Sequence, residues 1–340
     1  MFKFRGWQVV EILLLALLCL VIMIYAAPAA GVIEAQKDTV VISFVGDVTL
    51  GQDYYLSPSE RNFQQVYTRE GANYFFSRVQ HVFAASDVVV ANLEGVLLSS
   101  SLPPINKPGQ GKKFYLSGSS CYTQILLAGG IGLVNLANNH TLDFAAAGLA
   151  QTQRALKAAG IAYFGREKLQ LLELGGIKVG FYGLTLGTAS TTAQQRAITT
   201  LQHLGAELIV ANFHGGPEGV YYPSAAQKQA AATALKLGAR VVIGHHAHVL
   251  QGVKTTPHGI VAYGLGNFCF GGNRYPSDTD SMIFQVLLRR SAAGQIEVSQ
   301  RIVPVKISSN RAYNNYCPQP LEGKDKQRVL DKIAHLSEQL

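Results

Sequence analysis

Short apolar runs along this chain end in one way. Residues 40–45 run into Gly46 and Asp47, and residues 87–91 into Asn92, Leu93 and Glu94. Residues 132–136 lead to Ala137, Asn138, Asn139 and His140, and residues 207–211 to Asn212, Phe213 and His214. Residues 240–243 release Gly244, His245, His246, Ala247 and His248. Such runs, bounded by glycine and polar residues, predict buried strands. Each delivers carboxylate, amide or imidazole as it ends, and open α/β sheets bind ligands at that edge. The ends therefore describe one shared site. His246 and His248 converge on one centre if the backbone turns sharply after its strand. Neutral imidazole then suggests a metal, and the alternative is a polar turn with hydrogen-bonded histidines.

Helical spacing fills the intervals. It covers residues 74–83, the alanine-rich 148–158 closing at Gly160, and 225–237 stopped by Gly238. After Gly259 the pattern changes, and residues 260–263, 282–288 and 295–307 read as consecutive strands without helices. A βα-alternating part followed by an antiparallel set predicts an α/β fold of two sheets packed face to face with helices outside. Val329, Leu330, Ile333 and Leu336 at helical spacing predict a closing helix. The expected division is an N-terminal segment over 1–37, one domain over 38–310 and a C-terminal packing helix within 311–340. There is no Pro/Ser-rich linker and no internal repeat.

Lys3 and Arg5 precede an apolar run over residues 12–30, close to the ~20 residues that span a bilayer. Positive residues before such a run keep the amino terminus cytoplasmic and send the remainder outward. Ala27-Pro28-Ala29 resembles a signal-peptidase site, so a retained membrane anchor and a cleaved secretion signal both stay open. Either places the domain outside the cytoplasm. The net charge of +8 is spread along the chain and suits anionic polymers, phosphates or the membrane surface. No Arg/Lys run interleaved with aromatics occurs, so nucleic acid is not an expected partner. Besides Cys19, the thiols Cys121, Cys269 and Cys317 follow no motif spacing. They read as buried small hydrophobes, with one bridge left open.

Taken in order, Gly46-Asp47, Asn92-Leu93-Glu94, the block from Ala137 to Asp143, His214 with Gly216 and Glu218, Gly244 to His248, and Tyr263 to Phe268 resemble the CapA-type capsule-synthesis family. That family is also called the poly-γ-glutamate biosynthesis family, and the resemblance runs over about residues 40–284. The family in turn is similar to the calcineurin-like metallophosphoesterases. This likeness implies a four-layer α/β/β/α metallophosphoesterase-like sandwich. It also implies that Glu94 bridges two divalent ions. Asp47 and His248 would complete one, and Asn139, His214 and His246 the other. The second set has four ligands and the first three, so one tight and one weaker site are expected. Oxygen and nitrogen ligands without thiolate suit manganese, iron or zinc. Such a metal pair lowers the pKa of water towards ~7 and clamps phosphoryl oxygens for in-line attack.

The resemblance makes His140 a general acid or a donor to transition-state oxygens. Asp143 would orient His140 or cap the following helix. His245 is expected to hydrogen-bond backbone or, with Glu218, Asn267 and Arg274, to face a substrate. The loop Gly271-Gly272-Asn273-Arg274 would meet an anion or simply be solvated. Departures are Thr49, where the superfamily has a further histidine ligand, Gly215 for a tryptophan, and Ala145 for a glycine. The implied functions are a metal-dependent phosphoesterase of envelope metabolism and a non-hydrolytic binding or export component of a capsule-synthesis complex. A bare membrane-tethered scaffold leaves the ligand set unexplained. Ligands alone do not identify the bond broken.

Overall fold

A computed structural model describes residues 39–57, 59–107 and 113–340. The N-terminal apolar run lies outside the described residues, and no described helix is long and apolar enough to cross a membrane. The first half holds β1 (Val40–Thr49), β2 (Gln52–Asp53), α1 (Phe63–Glu70), α2 (Gln80–Phe83), β3 (Val88–Leu93), β4 (Val96–Leu98) and β5 (Leu116–Ser119). Next come α3 (Thr123–Ala128), β6 (Leu133–Asn135), α4 (Ala145–Ala158), β7 (Ala162–Phe164), β8 (Gln170–Leu174) and β9 (Ile177–Thr185). They are followed by α5 (Thr191–His203), β10 (Leu208–His214), α6 (Ala225–Leu237), β11 (Val241–His245), β12 (Val253–Thr256) and β13 (Gly259–Ala262). The chain ends with β14 (Asn267–Phe270), β15 (Asp280–Arg290), β16 (Ile296–Lys306), β17 (Gln319–Pro320) and α7 (Gly323–Ser337).

The first sheet has the order β17-β16-β15-β1-β3-β6-β7, and β14 pairs with the far end of β1. β1, β3, β6, β7 and β14 run parallel, while β15 to β17 are antiparallel additions. The second sheet is β12-β13-β11-β10-β9-β8, with parallel β9, β10, β11 and β13 at its centre. β2, β5 and β4 form a small third sheet.

Side-chain alternation explains how the two large sheets stack. Val40, Ile42 and Phe44 of β1, with Val88 and Val90 of β3, share a core with Val179, Phe181, Val210 and Ile243 of the second sheet. Their neighbours Val45, Val89 and Val134 face the other way, onto residues from α1, α3 and α4. In the second sheet Tyr182, Ile209, Ala211 and Val242 face α5 and α6. The predicted pair of facing sheets with helices outside is thus present as a mixed α/β fold.

Three expectations change. The helix read over 74–83 becomes a 3-10 turn at Ala72–Tyr74 and the single turn of α2. Phe75 and Phe76 are both buried, stacking on Phe63 and Phe268 at 4.7 and 6.1 Å, and consecutive rings turned to different partners break the helical register. The strands after Gly259 do not form one antiparallel set: β13 lies parallel to β11 in the second sheet, while β15 and β16 extend the first. Among the described thiols all are free, and Cys121 is exposed rather than buried.

Helix ends obey local rules. Ser224 and Gln227 form a capping box at α6, which stops at Gly238 in the left-handed conformation. α7 buries Val329, Ile333 and Leu336. Its Arg328 grips Asp280 at 2.7 and 2.8 Å, and Lys332 lies 3.0 Å from the same carboxylate.

Candidate metal centre

Strand pairing sets polar residues in rows at the carboxyl edges. In the first sheet Asn267 pairs with Asp47, Asp47 with Asn92, and Asn92 with Asn135. In the second, Thr185 pairs with His214 and His214 with His245. Close backbone approach makes this possible. A Cβ on Gly46 would lie 2.1 Å from the Gly266 carbonyl oxygen, the atom that accepts from Asp47 N at 3.0 Å. A Cβ on Gly244 would lie 2.0 Å from the Tyr263 carbonyl oxygen. After β11 the backbone turns through His246 at φ 90° and His248 at φ 56°. L-residues rarely occupy that region, and such strain clusters at functional sites. The sharp turn brings both imidazoles to the first sheet's row.

Asp47 is fully buried. Its Oδ1 accepts from Asn92 Nδ2 at 2.8 Å, and its Oδ2 lies 3.2 Å from both the His246 amide and His248 Nδ1. Burial would raise this carboxyl, but His245 and His248 outweigh it and hold it well below the usual range. Two carboxylates act on His248. Burial opposes its charge, yet Glu94 and Asp47 push its pKa up to about 10. Asn267 Oδ1, 2.8 Å from Nδ1, fixes the ring. His246 is shifted downward, first by burial and then by neighbouring His214.

Glu94 lies just past β3. It is fully buried, and neither carboxylate oxygen has a hydrogen-bond partner. Its Oε1 is 3.5 Å from His214 Nε2, 3.8 Å from His140 Nε2 and 3.9 Å from His248 Nε2. Burial would raise Glu94, while the positive charge of His248 holds it below the ordinary value. An orphaned buried carboxylate facing three imidazoles is costly unless something bridges them.

Ligand atoms within 4.8 Å of one another occur in three groups: Glu94 with His214 and His246, Asp47 with Glu94 and His248, and Glu218 with His246 and His248. Asn139 joins the first through Oδ1, 2.6 Å from His214 Nε2. The donors are carboxylate, amide oxygen and imidazole, so the residues fit a manganese, iron or zinc ion. Thr49 is buried with its hydroxyl unpaired.

His140 stands beside this set, with Nδ1 2.7 Å from Asp143 Oδ2. Asp143 is buried, accepts from Leu116 N at 2.8 Å and pairs with Lys107 Nζ at 2.6 Å. It does not cap α4, whose N-cap is Phe144 without a side-chain bond. Glu218 is exposed, 3.8 Å from His246 Nε2. A cleft of about 910 Å³ opens over the centre, lined by His140, Glu218, His248, Asn267 and Arg274 among others. His245 does not face it. Its side chain is 2% exposed and its Nδ1 sits 3.3 Å from Asp47, because as the last residue of β11 it points into the sheet packing. The substrate-facing expectation for His245 is therefore corrected.

Asn92 stood at a strand end without an assigned role, and Asn135 and Lys107 were not among the expected site residues. Asn92 links Asp47 to His214 Nδ1, 3.2 Å away, and its Oδ1 accepts from Asn135 Nδ2 at 3.0 Å. Asparagine inside apolar strands is disfavoured and was a readable signal. Lys107, in a loop, gave none.

Comparisons with known proteins bear on this site. The family described as "Bacterial capsule synthesis protein PGA_cap" matches residues 41–272. "Capsule biosynthesis protein CapA" of Bacillus anthracis is 27% identical over 331 residues, covering 90% of this chain and 75% of the relative. "PGA biosynthesis protein CapA" of Bacillus subtilis (strain 168) is 24% identical over 306 residues, covering 82% and 77%. Among solved structures, a 5'-nucleotidase from Candida albicans SC5314 aligns at a TM-score of 0.43 and 10% identity, over 88% of this chain and 57% of that one. The family match takes in more than half of the chain, including every candidate ligand, and the chain belongs to the bacterial capsule synthesis family PGA_cap.

Proposed function

We propose that this chain works in the metabolism of an anionic envelope polymer, capsular or poly-γ-glutamate, through a divalent-metal centre of metallophosphoesterase type. In this reading a membrane anchor over residues 1–37 holds the domain outside the cytoplasm. The capsule-related names of the Bacillus relatives support the polymer. The observation that carries the metal is Glu94, a buried carboxylate with two unpaired oxygens among three imidazoles.

Glu94, Asn139, His214 and His246 would hold one ion tightly, and Asp47, Glu94 and His248 a second more weakly. When bound, such an ion supplies Lewis acidity and stabilises charge developing on phosphoryl oxygens. The other residues act through position. Asp143 accepts at His140 Nδ1, so the proton that His140 exchanges with a substrate is the one at Nε2, on the Glu94 side. Asn92 fixes Asp47 and His214 relative to each other. Arg274 and Glu218 on the cleft wall sort substrates by charge.

A second reading, non-hydrolytic polymer binding or export, is favoured by Thr49, which leaves the weaker set one ligand short. Turnover of aryl phosphate mono- and diesters by the full chain, with manganese, zinc and iron, decides between them. Metal uptake with turnover supports a hydrolase. Uptake without turnover under any metal moves the function to binding, and no uptake sinks both forms of the metal centre.

A further inference from the structure

A second groove, of about 710 Å³, lies beside the centre and has no role in the chemistry above. Its floor is the end of β9, with Gly183, Leu184 and Thr185. One wall is the face of α5 bearing Ala193, Arg196, Ala197 and Thr200, spaced three and four residues apart as one helical face requires. The opposite faces of α5 bury Gln194, Ile198 and Leu201, so the small alanines leave the groove open. The other wall is the turn from Gly165 to Lys168, closed by backbone bonds of 2.8 and 3.2 Å.

That turn is unusual in composition. Arg166 and Glu167 both have positive φ, 49° and 74°, at positions where two-residue turns prefer Asn and Gly. The turn places Arg166 and Lys168 on the groove lining together with Arg196. None of these cations enters the carboxylate ion pairs found among the described residues. Lys168 Nζ instead lies 3.6 Å over the Tyr163 ring. Burial, and after it neighbouring Lys157, weaken its hold on its proton. Glu167 is the acid on the lining. The groove abuts the centre. Ala137 lines it two residues before Asn139, and Thr185 pairs with His214.

We propose that this groove binds a linear polyanion, a chain bearing repeated carboxylate or phosphate groups, whose leading end reaches the metal centre. Guanidinium forks on both walls suit planar or tetrahedral oxyanions, and threonine hydroxyls supply further donors. The proposal rests on the reading that the centre serves an anionic polymer, and it adds where that polymer lies.

Calorimetric titration of the full chain in chelator tests it, with inorganic tripolyphosphate in one arm and a short glutamate oligomer in the other. The double substitution Arg166→Gln/Arg196→Gln should weaken binding by ~10-fold or more at low salt and flatten its salt dependence, whereas Lys254→Gln, at an exposed lysine outside the groove lining, should change it less than ~2-fold. Groove-dependent binding of the oligomer assigns a carboxylate chain, and of tripolyphosphate a phosphate chain. Binding that survives the double substitution, that falls equally in Lys254→Gln, or that is absent in both arms overturns the proposal. All three cations are exposed, so an unchanged melting temperature is expected and separates lost contacts from lost folding. Metal uptake by the double variant is measured in parallel: its loss points to the centre, its retention with lost titration to the groove.

Discussion

Glu94→Gln should abolish the stabilisation that metal confers. Glu94 belongs to two of the three ligand groups, so the change removes charge from both ions at once. Without metal, burial would raise Glu94, but the positive charge of His248, 3.9 Å away, outweighs it and holds the carboxyl below its ordinary value. The fold therefore favours the ionised carboxylate at neutral pH. Neutralising it should lower stability in chelator. With an ion at a hundred times its dissociation constant, wild type gains a further ~2.7 kcal/mol, equivalent to ~5 °C or more. Glu94→Gln should lose that gain as well, so its deficit widens with metal. Thermal scans with chelator and with manganese or zinc, paired with elemental analysis, give both differences. A variant that keeps the full metal shift, or a wild type that no metal stabilises, refutes the reasoning.

Further outcomes follow from other residues. His246→Ala should abolish the tight equivalent of metal and His248→Ala mainly the weak one; equal losses in elemental analysis would reject the division into two sets. If the centre hydrolyses phosphoesters, Asp143→Asn and His140→Ala should each leave metal content intact while lowering turnover by ~100-fold or more, and unchanged turnover would remove His140 from the chemistry. Ala145 has φ 53°, so Ala145→Gly should be stabilising by ~0.5 kcal/mol; Ala155→Gly, inside α4, should instead cost ~1 kcal/mol in denaturant melts. Asp280 is lowered: burial would raise it, but Arg328 and Lys332 outweigh burial. Its folded value thus lies below the unfolded one, so its stabilisation is complete above the unfolded value of 3.8 and is lost as pH falls through the folded one. Acid unfolding of Asp280→Asn should accordingly be flatter in that window than wild type.

What could be read from the sequence was whatever depended on strands meeting at one edge. Apolar runs that each release a polar group gave Asp47, Glu94, His214, His246 and His248 before any geometry was known, and these lie together. The β8–β9 hairpin escaped notice because Gly180 and Gly183 interrupt its alternation; each is required by a neighbour, Leu201 in one case and Asn135 Oδ1 in the other. The helix expected over 74–83 failed because tertiary packing of Phe75 and Phe76 overrides periodicity. Likewise Lys107 reaches Asp143 across 36 residues from a loop with no pattern, and His245 ends its strand against Asp47 while His246 leaves it through a left-handed turn, a change of course that no periodicity encodes.

The partner of β1 carries a consequence for how the chain matures. Ile42 to Phe44 pair on one side with β3, but on the other Val40 to Phe44 pair with Leu288 to Phe284 of β15. That flank stays unpaired until residues 284–288 have been made. Until then a buried, β-branched strand shows a bare edge, the feature most apt to recruit a second copy. A ribosome stalled after residue 250 would release every candidate ligand and yet an incomplete first sheet, with Asp47 lacking the Gly266 carbonyl that holds its backbone. Truncation near that point should thus yield aggregates rather than a weakly active fragment. In this architecture quality control of the polypeptide and assembly of its chemistry become one event, timed by the arrival of β14 and β15.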